Sequence, residues 1–195
     1  DGFTANTTMT LIGSEAGTAI NSNNANGTVA VGYQSLASLT SGATNTALGT
    51  RSGDAANTAS GSVFLGNNAG GTVTTGNQNI AIGLDSMNGG TTTGDNNIAI
   101  GASAGDALTS AYQNVLIGRN AGGSIDTGDF NTAVGDNALK SATNSQYNAV
   151  FGLNAGDATV TGDRLTLIGT AAGRGVIDND GQGTVAIGYA AYNVG

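Results

Sequence analysis

Short alternating apolar runs, each closed by a glycine, recur along the whole chain. The closing residues are Gly13, Gly32, Gly49, Gly66, Gly83, Gly101, Gly118, Gly135, Gly152, Gly169 and Gly188, at intervals of 19, 17, 17, 17, 18, 17, 17, 17, 17 and 19. The residue before each glycine is large and apolar: Ile12, Val31, Leu48, Leu65, Ile82, Ile100, Ile117, Val134, Phe151, Ile168 and Ile187. Two places earlier stand β-branched residues such as Val29, Val63, Ile80, Ile98, Val115 and Val185. A spacing of two puts both sets on one face of a strand, which predicts that they form the inner rows of a coil. Small residues follow three places after the glycine (Ala16, Ser35, Ala104, Ala121), and a second apolar row follows at seven (Ile20, Leu39, Val73, Leu108, Ile125, Val176). Polar clusters such as Thr74-Thr75-Gly76-Asn77 complete each unit. Each repeat therefore reads as strand, glycine corner, short second strand and polar corner, and the chain as an all-β parallel β-solenoid, a β-roll of about eleven 17-residue coils.

Two finer patterns sit on this period. Asn45, Asn79, Asn97, Asn114, Asn131 and Asn148 stand four places before a marker glycine, where coils stacked about 4.8 Å apart let identical amides bond as a ladder. A three-coil alternation of size is also visible. Leu11, Phe64, Leu116 and Leu167 are paired with Gly17, Gly70, Gly122 and Gly173, and in the following coils Ala30, Ala81, Ala133 and Ala186 are paired with Leu36, Met87, Leu139 and Tyr192. Volume conserved between two positions implies close packing. With the inner rows assigned as above, these large residues project the other way and predict a second buried face. Leu11, Leu36, Phe64, Met87, Leu116, Leu139, Leu167 and Tyr192 are accordingly the expected contacts of a homotrimer. The rival is that the period records gene duplication alone. A single triangular turn of 52 residues is excluded, because faces up to about 55 Å long are too wide for Val, Ile and Ala to fill.

The unit Asn131-Thr-Ala-Val-Gly-Asp-Asn-Ala-Leu139 and its kin Asn97-Ile-Ala-Ile-Gly-Ala-Ser-Ala-Gly105 resemble the head repeats of trimeric autotransporter adhesins of the YadA-like kind. Similar repeats occur in fibre proteins of tailed bacteriophages and in phage-derived bacterial fibres. The resemblance implies a parallel β-roll assembled as a homotrimer, located outside the cell or on a virion, and a role in attachment to a surface or receptor.

Composition narrows the chemistry. The chain has no Cys, His or Pro, a net charge of −8, and five basic residues spread apart as Arg51, Arg119, Lys140, Arg164 and Arg174. Disulfides, thiol or imidazole catalysis and the usual zinc sets are thereby excluded, no cofactor is expected, and nucleic acid is a poor partner. No apolar run reaches the roughly 20 residues of a membrane span, so no membrane insertion is expected of this segment. The repeat fills residues 1–195 as a single domain, and the start at Asp1 with an end on a repeat makes a fragment of a longer fibre protein the expectation.

Three constellations are candidates for function. Tyr112, Phe130, Tyr147 and Arg164 fall five or six places before successive marker glycines, forming an external stripe suited either to a sugar or apolar surface or simply to stacking on itself. Asp54, Asp106 and Asp157 follow glycines in every third coil, and Asp95, Asp129 and Asp163 line the other corner, but the tandem Gly-Gly-x-Gly-x-Asp calcium pattern is missing and ordinary turn chemistry accounts for them. With Glu15 as the one Glu, a paired-carboxylate glycan hydrolase is the weakest reading. Thr72 to Thr75, Thr91 to Thr93, Thr127 and Thr161 raise ice binding, although that row is broken by Ile20, Ala56, Asn144 and Asp178. The expectation is a non-enzymatic structural and adhesive segment of an extracellular trimeric fibre, with itself and a host or prey glycan or protein as partners.

Overall fold

A computed structural model describes residues 8–20, 23–175 and 181–192; Val176 and Asp178 lie outside the described residues. Eleven three-residue strands form one sheet: β1 Thr10–Ile12, β2 Val29–Val31, β3 Thr46–Leu48, β4 Val63–Leu65, β5 Ile80–Ile82, β6 Ile98–Ile100, β7 Val115–Ile117, β8 Thr132–Val134, β9 Ala149–Phe151, β10 Thr166–Ile168 and β11 Val185–Ile187. They are hydrogen-bonded in chain order. Every pair is parallel, and equivalent repeat positions face each other, as Ile98↔Val115, Ala99↔Leu116 and Ile100↔Ile117 show. Ten steps of about 4.8 Å make a sheet roughly 48 Å long. The chain is thus a parallel β-solenoid of eleven coils with no α-helix among the described residues; a 3-10 turn, Asn23–Ala25, takes up part of the longer first interval.

The alternation within the strands has the opposite phase to the one expected. In β2 through β10 the central residue is buried and its neighbours are half-buried or exposed. Ala30, Ala47, Phe64, Ala81, Ala99, Leu116, Ala133, Val150 and Leu167 therefore point into the coil. The Ile, Val and Leu rows on either side point out, with Leu48 54% exposed and Ile168 40% exposed. Period two decides which residues share a face but not which face is inside, and here both faces are apolar. Volume decides. A 17-residue coil is too narrow to take two large side chains from every strand, so the mostly small centre residues go in.

The same inversion moves the expected trimer contacts. Leu36, Phe64, Met87, Leu116, Leu139 and Leu167 have no exposed surface in the single chain; they fill the coil interior and cannot touch a partner. Leu11, in the first coil, packs against the same core, and Tyr192 is exposed at the other end. The size compensation is real, but it operates within one chain. A Cβ on Gly70 would lie 2.1 Å from Cδ1 of Phe64, one on Gly122 2.7 Å from Cδ2 of Leu116, and one on Gly17 2.9 Å from Cδ2 of Leu11. The third coil of each set has glycine at the turn and Ala47, Ala99 or Val150 at the strand centre, and borrows volume from its neighbours. Above Gly53 the same test finds Phe64 at 2.5 Å and Leu36 at 2.8 Å, from the coils on either side.

The glycine corner is set by contact between coils. Gly101 takes φ +133°, and a Cβ there would stand 2.5 Å from the carbonyl oxygen of Gly118 in the next coil, so no other residue fits. Beyond the corner the expected second strand is absent. Positive φ two and four places later, as at Asn120 (55°) and Gly122 (57°), breaks the extended conformation in each coil. The segment still bonds from coil to coil, Gly105 N to Ala121 O (3.0 Å) and Gly122 N to Ala138 O (2.9 Å), with Val73↔Thr92 an isolated bridge. Asn at the first of these positions suits the left-handed region and adds rungs of its own, Asn120 Nδ2 to Asn137 Oδ1 (3.1 Å) and Asn137 Nδ2 to Asn154 Oδ1 (3.0 Å).

The expected asparagine ladder is present and buried. Asn97 donates its backbone N–H (2.9 Å) and Nδ2 (3.2 Å) to Oδ1 of Asn79, and Nδ2 also to Ala111 O (2.8 Å). The pattern repeats from Asn114 to Asn97, Asn131 to Asn114 and Asn148 to Asn131. Ser62 stands in where Asn is missing, its Oγ accepting from Asn79 N at 3.2 Å.

Candidate functional site

The polar corner before each strand carries the exposed chemistry. Here the side chain six places before one marker glycine accepts a backbone N–H from the preceding coil: Asp95 Oδ1 from Asn77 N (2.6 Å), Asp129 Oδ1 from Tyr112 N (2.9 Å) and Asp163 Oδ1 from Gln146 N (2.8 Å). These carboxylates cap turns, as Asp does in tight corners. Asp54 pairs with Arg51 at 2.8 Å and Asp157 with Arg174 at 3.5 Å. Arg119 grips Asp136 in the next coil at 2.9 Å. Among the described residues no group of three or more His, Cys, Asp or Glu is placed to hold a metal ion.

One place further on, each coil has a residue with positive φ: Asn96 (61°), Gln113 (58°), Phe130 (58°), Tyr147 (59°) and Arg164 (56°). Stacking brings the four residues expected to form a stripe into contact. Phe130 and Tyr147 lie parallel with centroids 5.0 Å apart and planes 6° from each other. Tyr112, one register position earlier in its coil, meets Phe130 edge-on at 5.1 Å and 79°. The Arg164 guanidinium covers Tyr147 at 5.6 Å and reaches Gln182 at 3.4 Å. The faces of Phe130 and Tyr147 are thus taken up within the stack, and their edges meet solvent. The Tyr112 ring stands across the stack, and Tyr112 (41%), Phe130 (36%) and Tyr147 (50%) all keep exposed surface. The nearby Asp129 carboxylate, before lesser contributions from desolvation, holds the Tyr112 phenol protonated above the usual tyrosine range.

Beside Tyr112 lies an open concavity of about 360 Å³, lined by Thr93, Gly94, Asp95, Asn96, Ser110, Tyr112 and Gln113. The adjoining Gly89–Thr93 corner holds the extra residue of the 18-residue interval from Gly83 to Gly101. Part of the expected threonine array is used by the coils themselves. Thr92 is buried and donates to Leu108 O at 2.8 Å, Thr72 donates to Met87 O at 3.1 Å, and Thr74 donates to Thr92 O at 3.3 Å.

No protein-family model matches the chain, and no curated protein or solved structure matches it either.

Proposed function

We propose that this solenoid is a structural and adhesive segment of an extracellular homotrimeric fibre, projecting or mediating attachment to a cell surface. One observation carries the reading. The outward face of the sheet carries an unbroken apolar row from Ile12 to Ile187, beside a second row of Val, Ile and Ala interrupted by Thr10, Thr46, Thr132 and Thr166, and is flanked by the exposed Tyr33, Leu84 and Leu153. Strands three residues wide give it a footprint of about 10 by 48 Å. An apolar patch of that size on a chain with 38% hydrophobic residues and net charge −8 marks a protein contact. Three such strips facing a common axis parallel to the stack would form a dry fibre core, leaving the polar corners and the Tyr112 region outermost. The interface of this proposal is the Ile and Val rows, in place of the residues inside the coil.

Ice binding finds less support. On the outward face Thr occupies Thr10, Thr46, Thr132 and Thr166 in one row, and Ile, Val, Leu or Phe fills the other throughout. Sedimentation equilibrium tests the fibre reading: a mass of three times 18.8 kDa is expected, and a monomer or a dimer at micromolar concentration removes it.

A further inference from the structure

We propose that the concavity walled by Tyr112 is a shallow saccharide site selective for neutral or amino sugars over acidic ones. The proposal rests on the attachment role above and names the chemistry it would use. A volume near 360 Å³ is at the small end of the roughly 300–1,000 Å³ common for small-molecule sites, enough for one sugar ring with part of a second. Sugar recognition needs an aromatic face for the C–H side of the ring and planar amides or carboxylates for its hydroxyl pairs. Tyr112 is the aromatic residue of the wall, Asn96 and Gln113 bring amides, Asp95 a carboxylate and Ser110 a hydroxyl. Asn96, Ser110 and Gln113 are exposed, whereas Asp95 is half-buried and fixed by its bond from Asn77 N.

Charge sets the selectivity. No cation lines the concavity, Asp95 is part of its wall, and Asp129 lies against the backbone of Tyr112. Arg164 is committed to Tyr147 further along the stack. A sialic acid or uronate would meet two carboxylates with no counter-charge, so acidic sugars are rejected and a protonated amino sugar is tolerated. The stacked pair Phe130–Tyr147 does not line the concavity and is excluded from the site, although it belongs to the same stripe. One such site per chain is weak, and a fibre presenting several gains its hold by multivalency.

The test uses the whole chain on an array of immobilised neutral hexose, N-acetylhexosamine, free hexosamine and sialylated oligosaccharides, with sedimentation and thermal melting measured on the same samples. Binding is expected on the uncharged and amino-sugar spots and not on the sialylated ones. Tyr112→Ala should weaken it by about tenfold or more, as loss of an aromatic face does. The double variant Phe130→Ser/Tyr147→Ser should stay within about twofold of wild type, since neither residue lines the concavity. Should Tyr112→Ala melt early, Gln113→Ala provides the same reading from an exposed side chain. Binding confined to sialylated spots, absent everywhere, or lost in the Phe130/Tyr147 variant but kept in both Tyr112→Ala and Gln113→Ala overturns the proposal. A trimer that binds no glycan removes this inference and leaves the fibre reading intact, whereas a monomer that binds neutral sugars through Tyr112 does the reverse.

Discussion

At the scale of single residues, what holds the stack together is polar as much as apolar. Asn114 is buried and takes part in bonds above and below. It donates to Asn97 Oδ1 (3.0 Å) and Gly128 O (2.9 Å), and its Oδ1 accepts from Asn131 N (2.9 Å) and Nδ2 (3.0 Å). Asn114→Ala strands several groups that water cannot reach. Since each buried unpaired group costs about 1–3 kcal/mol, a loss of about 3–5 kcal/mol in chemical denaturation is expected. A loss under about 1 kcal/mol would mean that the stranded groups are satisfied by water or by relaxation of the neighbouring coils. Asp106 is the opposite case. Burial first, then the Asp85 carboxylate, raises its pKa above 3.8, while a bond from the Asn88 backbone partly offsets them. A raised folded value means that the stability this group contributes is complete below about 3.8 and is lost as pH rises through the folded value. Asp106→Asn, which mimics the protonated form, should therefore melt higher than wild type at pH 7 and lose that advantage near pH 3. An equal difference at both pH values would contradict the assignment.

At the scale of the coil, stability depends on shape complementarity between neighbours. The Phe64 ring sits between two glycines, Gly53 in the coil before and Gly70 in its own. Gly70→Ala is expected to cost more than the roughly 1–2 kcal/mol of a left-handed non-glycine residue, because the new methyl meets the ring. Adding Phe64→Ala frees that space, as at Gly105, where a Cβ would lie 3.4 Å from the Cβ of Ala99. In a double-mutant cycle the pair should be less destabilising than the sum of the single changes, by about 1 kcal/mol or more. Strict additivity would show that the size alternation does not arise from direct packing. The three-coil period is thus a solution to filling a narrow tube with few large side chains. A large residue is placed at the strand centre, then at the turn, then at neither, so no two occupy the same layer of a column.

At the scale of the whole molecule, the two faces of the strands differ. The centre residues hold one chain together, and in the fibre proposed above the flanking rows would hold chains to each other. Ile82→Lys with Ile100→Lys, on adjacent strands of the outward face, should reduce the sedimenting mass to that of one chain while the far-ultraviolet spectrum stays solenoid-like. Leu116→Lys, inside the coil, should abolish the fold outright, since an unpaired buried ammonium costs several kcal/mol. If Leu116→Lys folded and dissociated instead, the phase of the strands would be the reverse of the one described.

Much of this was legible in the residues. The glycine marker, the coil count, the parallel register and the asparagine rungs follow from an unbroken period, because a stacked coil places equivalent residues in contact whatever else the chain does. The contact of Tyr112, Phe130, Tyr147 and Arg164 follows from the same rule. Three features did not follow. Left-handed residues such as Leu36 and Met87 are poor signals of that conformation, so the turn after each glycine reads as a strand. The concavity beside Tyr112 is a matter of surface shape between two coils in ordinary register, which a repeat pattern does not record. The direction in which the strands face is the largest. Alternation determines that Ile98 and Ile100 lie on one side and Ala99 on the other, and hydrophobicity cannot rank two apolar sides. Only closure of the coil decides between them, because the interior has room for Ala99 and its equivalents and not for two rows of isoleucine.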